Sequence, residues 1–227
     1  MEGRDRHHEK PPTSAVQASP YRVRGWKGNR LLHGMLLLYA AYWIVAAIKP
    51  TSRGEWLLEN ILVALTALVL GLTYRKFKFS NLSYFFILLY LVFHTYGAHY
   101  TYSATPFDNW LKSAFDTKRS YYDRVVHFLF GFLLAYPVRE WFVRLSGLAK
   151  QWTLLIPIIL LVTFSSIFEI FEMRIALIMK SQLARDYVGL QGDVWDSVKD
   201  IEMGLLGAVL GSLGLYIWYR RKARKPG

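Results

Sequence analysis

The chain has 227 residues, of which 53% are hydrophobic, 16% aromatic and only 19% charged, below the roughly 25% charged residues of soluble domains. Its apolar residues run in six blocks of about 17–19, close to bilayer-spanning length, and there is no cysteine. This excludes a soluble globular domain, a coiled coil, a disordered protein, a disulfide scaffold and thiol-based metal or nucleophile chemistry. The net charge of +12 flanks the apolar blocks in the positive-inside manner and does not form the patch that nucleic acid needs, so no nucleic-acid partner is expected.

Met1–Arg30 is polar, proline-containing and carries seven Lys/Arg, which reads as a basic, disordered cytoplasmic tail. The spans are predicted at Leu31–Ile48, Trp56–Tyr74, Leu82–Tyr100, Val125–Val143, Trp152–Phe168 and Ile201–Tyr219. Because a lipid-exposed backbone must satisfy its own hydrogen bonds, all six are helices. The predicted fold is therefore an all-α polytopic membrane protein, a bundle of six transmembrane helices over residues 31–219, closed by a second basic tail at 220–227. Basic second and fourth loops and an acidic fifth loop put both termini in the cytoplasm. Trp56, Trp141, Trp152, Trp195 and Trp218 fall near the interfaces, as an aromatic belt should.

Ionisable groups in or beside spans are costly and mark functional candidates. Here they are His94, His99, Asp123, His127, Glu169, Glu172, Asp193, Asp196 and Asp200, and the topology sends all nine to the outer face. Asp123 and His127 are four apart and share a helical face, and Asp193, Asp196 and Asp200 form one stripe. His94 and His99 are five apart, so they face one site only if the helix ends between them, near Gly97.

Imidazoles with carboxylates suit a divalent metal ion, for which the candidate ligands are His99, His127, Glu169, Asp193 and Asp196. Asp123, His127, Glu169 and Asp200 are the catalytic candidates, and Arg119, Arg124 and Lys199 the candidate holders of a lipid phosphate. Plainer roles stand beside these. Asp123 reads also as a helix cap in Ser120-Tyr-Tyr-Asp123, Asp193 as the cap of the last helix, Glu172 as a rim partner of Arg174 or Lys180, and His94 as a packing residue. Gly204, Gly207, Gly211 and Gly214 read as a close-packing stripe.

The stretches His99-Tyr-Thr-Tyr-Ser, Tyr122-Asp-Arg-Val-Val-His127-Phe, Phe168-Glu-Ile-Phe-Glu172 and Gln191-Gly-Asp-Val-Trp-Asp196 resemble an uncharacterised bacterial inner-membrane family that includes YjdF. Asp123-Arg-Val-Val-His127-Phe and Gly207-Ala-Val-Leu-Gly211 look, more distantly, like VanZ-like membrane proteins associated with glycopeptide resistance. The resemblance implies a multi-pass inner-membrane protein with an envelope role. The expected function is a metal-assisted or lipid-modifying activity on a lipid headgroup or envelope precursor. The alternatives are a cation or small-solute transporter and a non-catalytic VanZ-like structural or antibiotic-resistance protein.

Overall fold

A computed structural model describes residues 21–116, 119–146, 152–179 and 195–224. These form a short 3-10 helix, Trp26–Gly28, and seven α-helices: α1 Arg30–Ala46, α2 Arg53–Thr73, α3 Asn81–His99, α4 Pro106–Phe115, α5 Tyr122–Ser146, α6 Trp152–Met179 and α7 Asp196–Ala223. There is no strand among the described residues. Four helix starts carry a side-chain cap, in which Asn29, Ser52, Ser80 and Thr105 accept from the backbone N–H three residues on.

Helices α2, α3, α5, α6 and α7 are long and apolar enough to cross a membrane, whereas α1 is apolar but shorter. Its 17 residues reach about 25 Å, against an apolar layer of about 30 Å. The helix ends at Ala46, and three residues on Lys49 takes a left-handed conformation, φ 50°, immediately before Pro50, where the helical region is disfavoured. Two further boundaries differ from expectation. The third interhelical segment contains α4, and α6 runs on through Glu169 and Glu172 to Met179. Leu37, Leu38, Ile44, Leu72 and Leu57 keep more than half their surface exposed, as side chains facing lipid do.

Helix α5 is central. It packs against α3, α6 and α7, and α1 and α2 join the bundle through α3. The α5–α7 seam is made of backbone. A Cβ on Gly131 would overlap the Gly204 carbonyl oxygen, one on Gly207 the Phe128 carbonyl oxygen, and one on Gly211 would sit 2.6 Å from the Phe132 carbonyl oxygen. The stripe read in the sequence is thus a close-approach surface at these positions. Gly214 has open space beside it and takes no part. Trp56 departs from the aromatic belt. It is 2% exposed, packed with Ala46 and Ala98 beside the tilted ring of Trp43, while Trp141, Trp152, Trp195 and Trp218 remain outside.

The helices alternate in direction, so their ends form two opposed faces. The start of α1, the end of α2, the start of α3 and the ends of α5 and α7 make a basic end, carrying among others Arg75, Lys76, Lys78, Arg144, Arg220 and Arg221. At this end Tyr21, inside the expected tail, is buried between Tyr136 and Tyr219 and accepts from Arg139 at 2.6 Å. The opposite, acidic end holds the predicted site residues.

Candidate functional site

His127 sits one turn inside α5, where Gly131 and Gly204 bring α7 close and Ser165 and Glu169 of α6 close the remaining side. Its Nε2 lies 3.1 Å from Glu169 Oε1 and 3.6 Å from Asp123 Oδ1. Its Nδ1 lies 3.3 Å from Ser165 Oγ. Nε2 thus faces the two carboxyl groups and Nδ1 the Ser165 hydroxyl, so the imidazole stands between hydroxyl and carboxyl. His127 and Glu169 are buried, with side chains 8% and 6% exposed, whereas Asp123 is 40% exposed.

Beside this line, Arg119 and Arg124 converge on Asp196, the first residue of α7. Arg119 Nη2 contacts Asp196 Oδ1 and Arg124 Nη2 approaches the same oxygen at 3.4 Å. Arg124 Nε is 3.9 Å from Asp200 Oδ1, too far for a hydrogen bond. Asp200 Oδ1 and Glu169 Oε1 are both buried without a hydrogen-bond partner. Lys199 is half-buried on α7, one residue before Asp200.

The two remaining histidines are engaged elsewhere. Helix α3 continues past Gly97 to His99, so His94 and His99 do not share a face. His94 Nδ1 accepts from the Tyr102 hydroxyl at 2.6 Å, and its Nε2 donates to the Glu59 carbonyl at 3.0 Å. Thr101 and Tyr102 adopt left-handed backbone, φ 57° and 53°, which folds the Tyr102 ring back over Gly97 and onto His94. Burial pushes the Tyr102 phenol well above its ordinary value, so it remains a donor. His99 Nδ1 donates to the Ala46 carbonyl at 2.7 Å and ties α3 to the end of α1.

Asp123 is not the main cap of α5. That work falls to Asp108 of α4, fully buried, whose Oδ1 accepts from the backbone N–H groups of Tyr121 and Tyr122 at 2.6 and 3.2 Å. Residue Trp195 holds the capping position of α7, with no side-chain cap bond. Asp193 lies outside the described residues. Glu172 makes no ion pair with Arg174, and Lys180, its other expected partner, lies outside the described residues. No group of three or more His, Asp or Glu among them is placed to ligate a single metal ion.

Sequence reading missed Ser165, Glu59, Asp108 and Glu140. Ser165 carried a signal, standing four residues before Glu169 on the same face of α6. Glu140 forms a separate site at the basic end. Its carboxylate accepts from Ser80 N at 2.8 and 3.1 Å, Ser80 Oγ at 2.6 Å, Ser83 Oγ at 2.5 Å and Arg144 Nη1 at 2.7 Å.

Chemically, the acidic end offers an imidazole, a hydroxyl beside its Nδ1, a carboxyl 3.1 Å from its Nε2 and two arginines nearby. Comparison with known proteins sets this in context. The chain is 29% identical over 185 residues to the inner membrane protein YjdF of Escherichia coli (strain K12), a match covering 81% of this chain and 88% of the relative. No solved structure matches. The family model described as "Predicted membrane protein (DUF2238)" matches residues 31–221, and the chain belongs to that family of membrane proteins.

Proposed function

We propose that this chain is an inner-membrane protein that acts on a lipid headgroup or envelope precursor at the acidic end of α5, α6 and α7, with its basic end in the cytoplasm. The observation that carries the reading is the line from Ser165 through His127 to Glu169. In the tautomer with Nδ1 unprotonated it gives that nitrogen a proton to take, and it sets the Glu169 carboxyl 3.1 Å from Nε2. Arg119 and Arg124, now on Asp196, are the groups that a phosphate would draw away. The charge pattern supports the orientation. A reporter after Gly227 is expected in the cytoplasm and one inserted near Lys112 outside it.

Lipid and envelope-precursor profiles of a deletion strain, complemented with wild type or His127→Gln, test the activity. The deletion is expected to shift one species, wild type to restore it, and His127→Gln to fail although it accumulates normally in the membrane. An unchanged profile in the deletion strain, or full restoration by His127→Gln, overturns the reading and leaves the Arg119–Arg124–Asp196 contacts as a VanZ-like structural clamp.

The buried Glu169 oxygen without a hydrogen bond favours a second reading, a divalent cation held with His127 and completed by water, since no three His, Asp or Glu among the described residues converge on one point. Such an ion would acidify a bound water. Under this reading elemental mass spectrometry of the purified protein finds the metal, and chelator lowers its melting temperature. Metal-free protein indifferent to chelator and to added Mn, Zn, Mg or Ca rejects it.

A further inference from the structure

The basic end contains a cavity that has no part in the chemistry above. The segment before α1 folds over the end of α2 and leaves an open space of about 900 Å³, lined by Arg24, Trp26, Lys27, Tyr74, Arg75 and Lys78 with Gly25 and Gly28. Four lining residues are cationic and none is acidic. Among the described residues no carboxylate pairs with any of the four. The buried acid of this end, Glu140, is occupied by Ser80, Ser83 and Arg144. Such a concentration of unopposed positive charge around one concavity favours an anion.

Two further observations point to a ligand. Tyr74 Oη, on a residue of the cavity wall, is buried without a hydrogen-bond partner, and so is the neighbouring His33 Nε2. The aromatic rings also fix the position of the cavity. Trp26 stands edge-on to Tyr74 at 5.7 Å, packs on His33 at 4.4 Å and leaves 49% of its own surface exposed. Tyr74 follows directly on the apolar span Arg53–Thr73, and Lys78 shortly precedes the span that begins at Asn81. The cavity therefore lies at the level where apolar helix gives way to polar chain, the depth at which Trp and Tyr meet headgroups.

We propose that this cavity binds the phosphate of an anionic lipid headgroup from the leaflet at the basic end. Arg24, Lys27, Arg75 and Lys78 surround the phosphate, the Tyr74 hydroxyl, shielded from solvent in the lipid-free protein, turns to donate to it, and Trp26 covers the glycerol and upper acyl region. Basic pockets beside membrane helices recognise anionic headgroups in this manner. A zwitterionic headgroup satisfies the same phosphate contacts but brings its own cation into a site that already has four.

Native mass spectrometry of the full chain, with phosphatidylglycerol competing against phosphatidylcholine, reads the preference. One phosphatidylglycerol retained per chain is expected. At roughly fivefold per basic residue near an anionic surface, Arg75→Gln with Lys78→Gln should lower the preference by about 25-fold. Tyr74→Phe, which removes only the unpartnered hydroxyl, should lower it several-fold and serves if the double variant fails to fold. Arg220→Gln with Arg221→Gln removes the same charge from the same end, outside the cavity, and should leave the preference within twofold. Equal losses in the two double variants would mean diffuse attraction and overturn the proposal. Unchanged binding in both the cavity double variant and Tyr74→Phe overturns it as well. Displacement of the lipid by millimolar glycerol 3-phosphate identifies a soluble phosphate ligand and overturns the lipid as its source.

Discussion

Helix α5 carries buried acid–base groups near both its ends, and the two sites handle charge in opposite ways. At Glu140 both carboxylate oxygens are taken by the start of α3 and by Arg144, whose guanidinium also donates to the Lys78 carbonyl at 2.6 Å and lies 4.1 Å over the Phe77 ring. At His127 the neighbouring carboxylates keep oxygens without hydrogen bonds, and Asp123 is 40% exposed. One protein has thus completed one polar network and left the other incomplete. A completed network fixes structure, whereas an incomplete one is costly in a bilayer and is the expected mark of a site reserved for something else.

The contrast can be broken most forcefully at Glu140. Glu140→Ala strands Arg144 and the donors of Ser80 and Ser83, and should cost about 3–5 kcal/mol, read from unfolding in mild detergent. A loss below 1 kcal/mol would mean that the node is not structural. Next in size, His94→Leu removes the 2.6 Å acceptor of the Tyr102 hydroxyl, leaving it only the residue 94 carbonyl at 3.4 Å, and removes the side-chain donor to the Glu59 carbonyl, and should cost about 2–3 kcal/mol in the same assay.

Tyr102→Phe should cost less, about 1–2 kcal/mol, and its pH dependence follows from burial. Because the folded phenol ionises above its ordinary value, its contribution is fully present below the unfolded value of about 10 and is lost only as pH rises towards the folded one. The difference between wild type and Tyr102→Phe should therefore be constant from pH 7 to 9 and shrink above 10. The smallest effect on stability is expected at the incomplete site. Glu169→Gln and Asp200→Asn should each change it by less than about 1 kcal/mol, and a gain is admissible because a poorly satisfied buried charge is removed. Each should nevertheless abolish complementation of a deletion strain. Variants that unfold as readily as Glu140→Ala would erase the distinction between the two sites.

Much of this architecture was legible in the sequence because a bilayer imposes length and polarity in runs. The apolar blocks, the stripe at Gly204, Gly207 and Gly211, and the gathering of Asp123, His127, Glu169, Asp196 and Asp200 at one end all follow from such runs. What stayed hidden depends on partners distant in sequence. Glu169 and Glu172 look like the end of a span, but α6 continues because the first of them is received by His127 of α5. Glu59 is a lone acid in an apolar run, and only the fold shows His94 bonded to its backbone. Asp108 resembles an ordinary loop acid until α5 is seen to begin on it. The Gly97 break failed because a glycine is tolerated inside a helix packed on both sides, here by the Tyr102 ring.

The glycine seam has a consequence for how the protein is made. Helix α5 leaves the ribosome well before α7, since α6 lies between them. Until α7 arrives, the small face at Gly131 lacks the Gly204 and Ala208 backbone on which it closes, and the wall of the His127 site at Gly204 is missing. The nascent bundle therefore stays open on that side through most of translation and closes when its last helix inserts. Chains ending before Asp196 should be cleared rapidly by membrane proteases, whereas loss of residues 225–227, beyond the seam, should be tolerated.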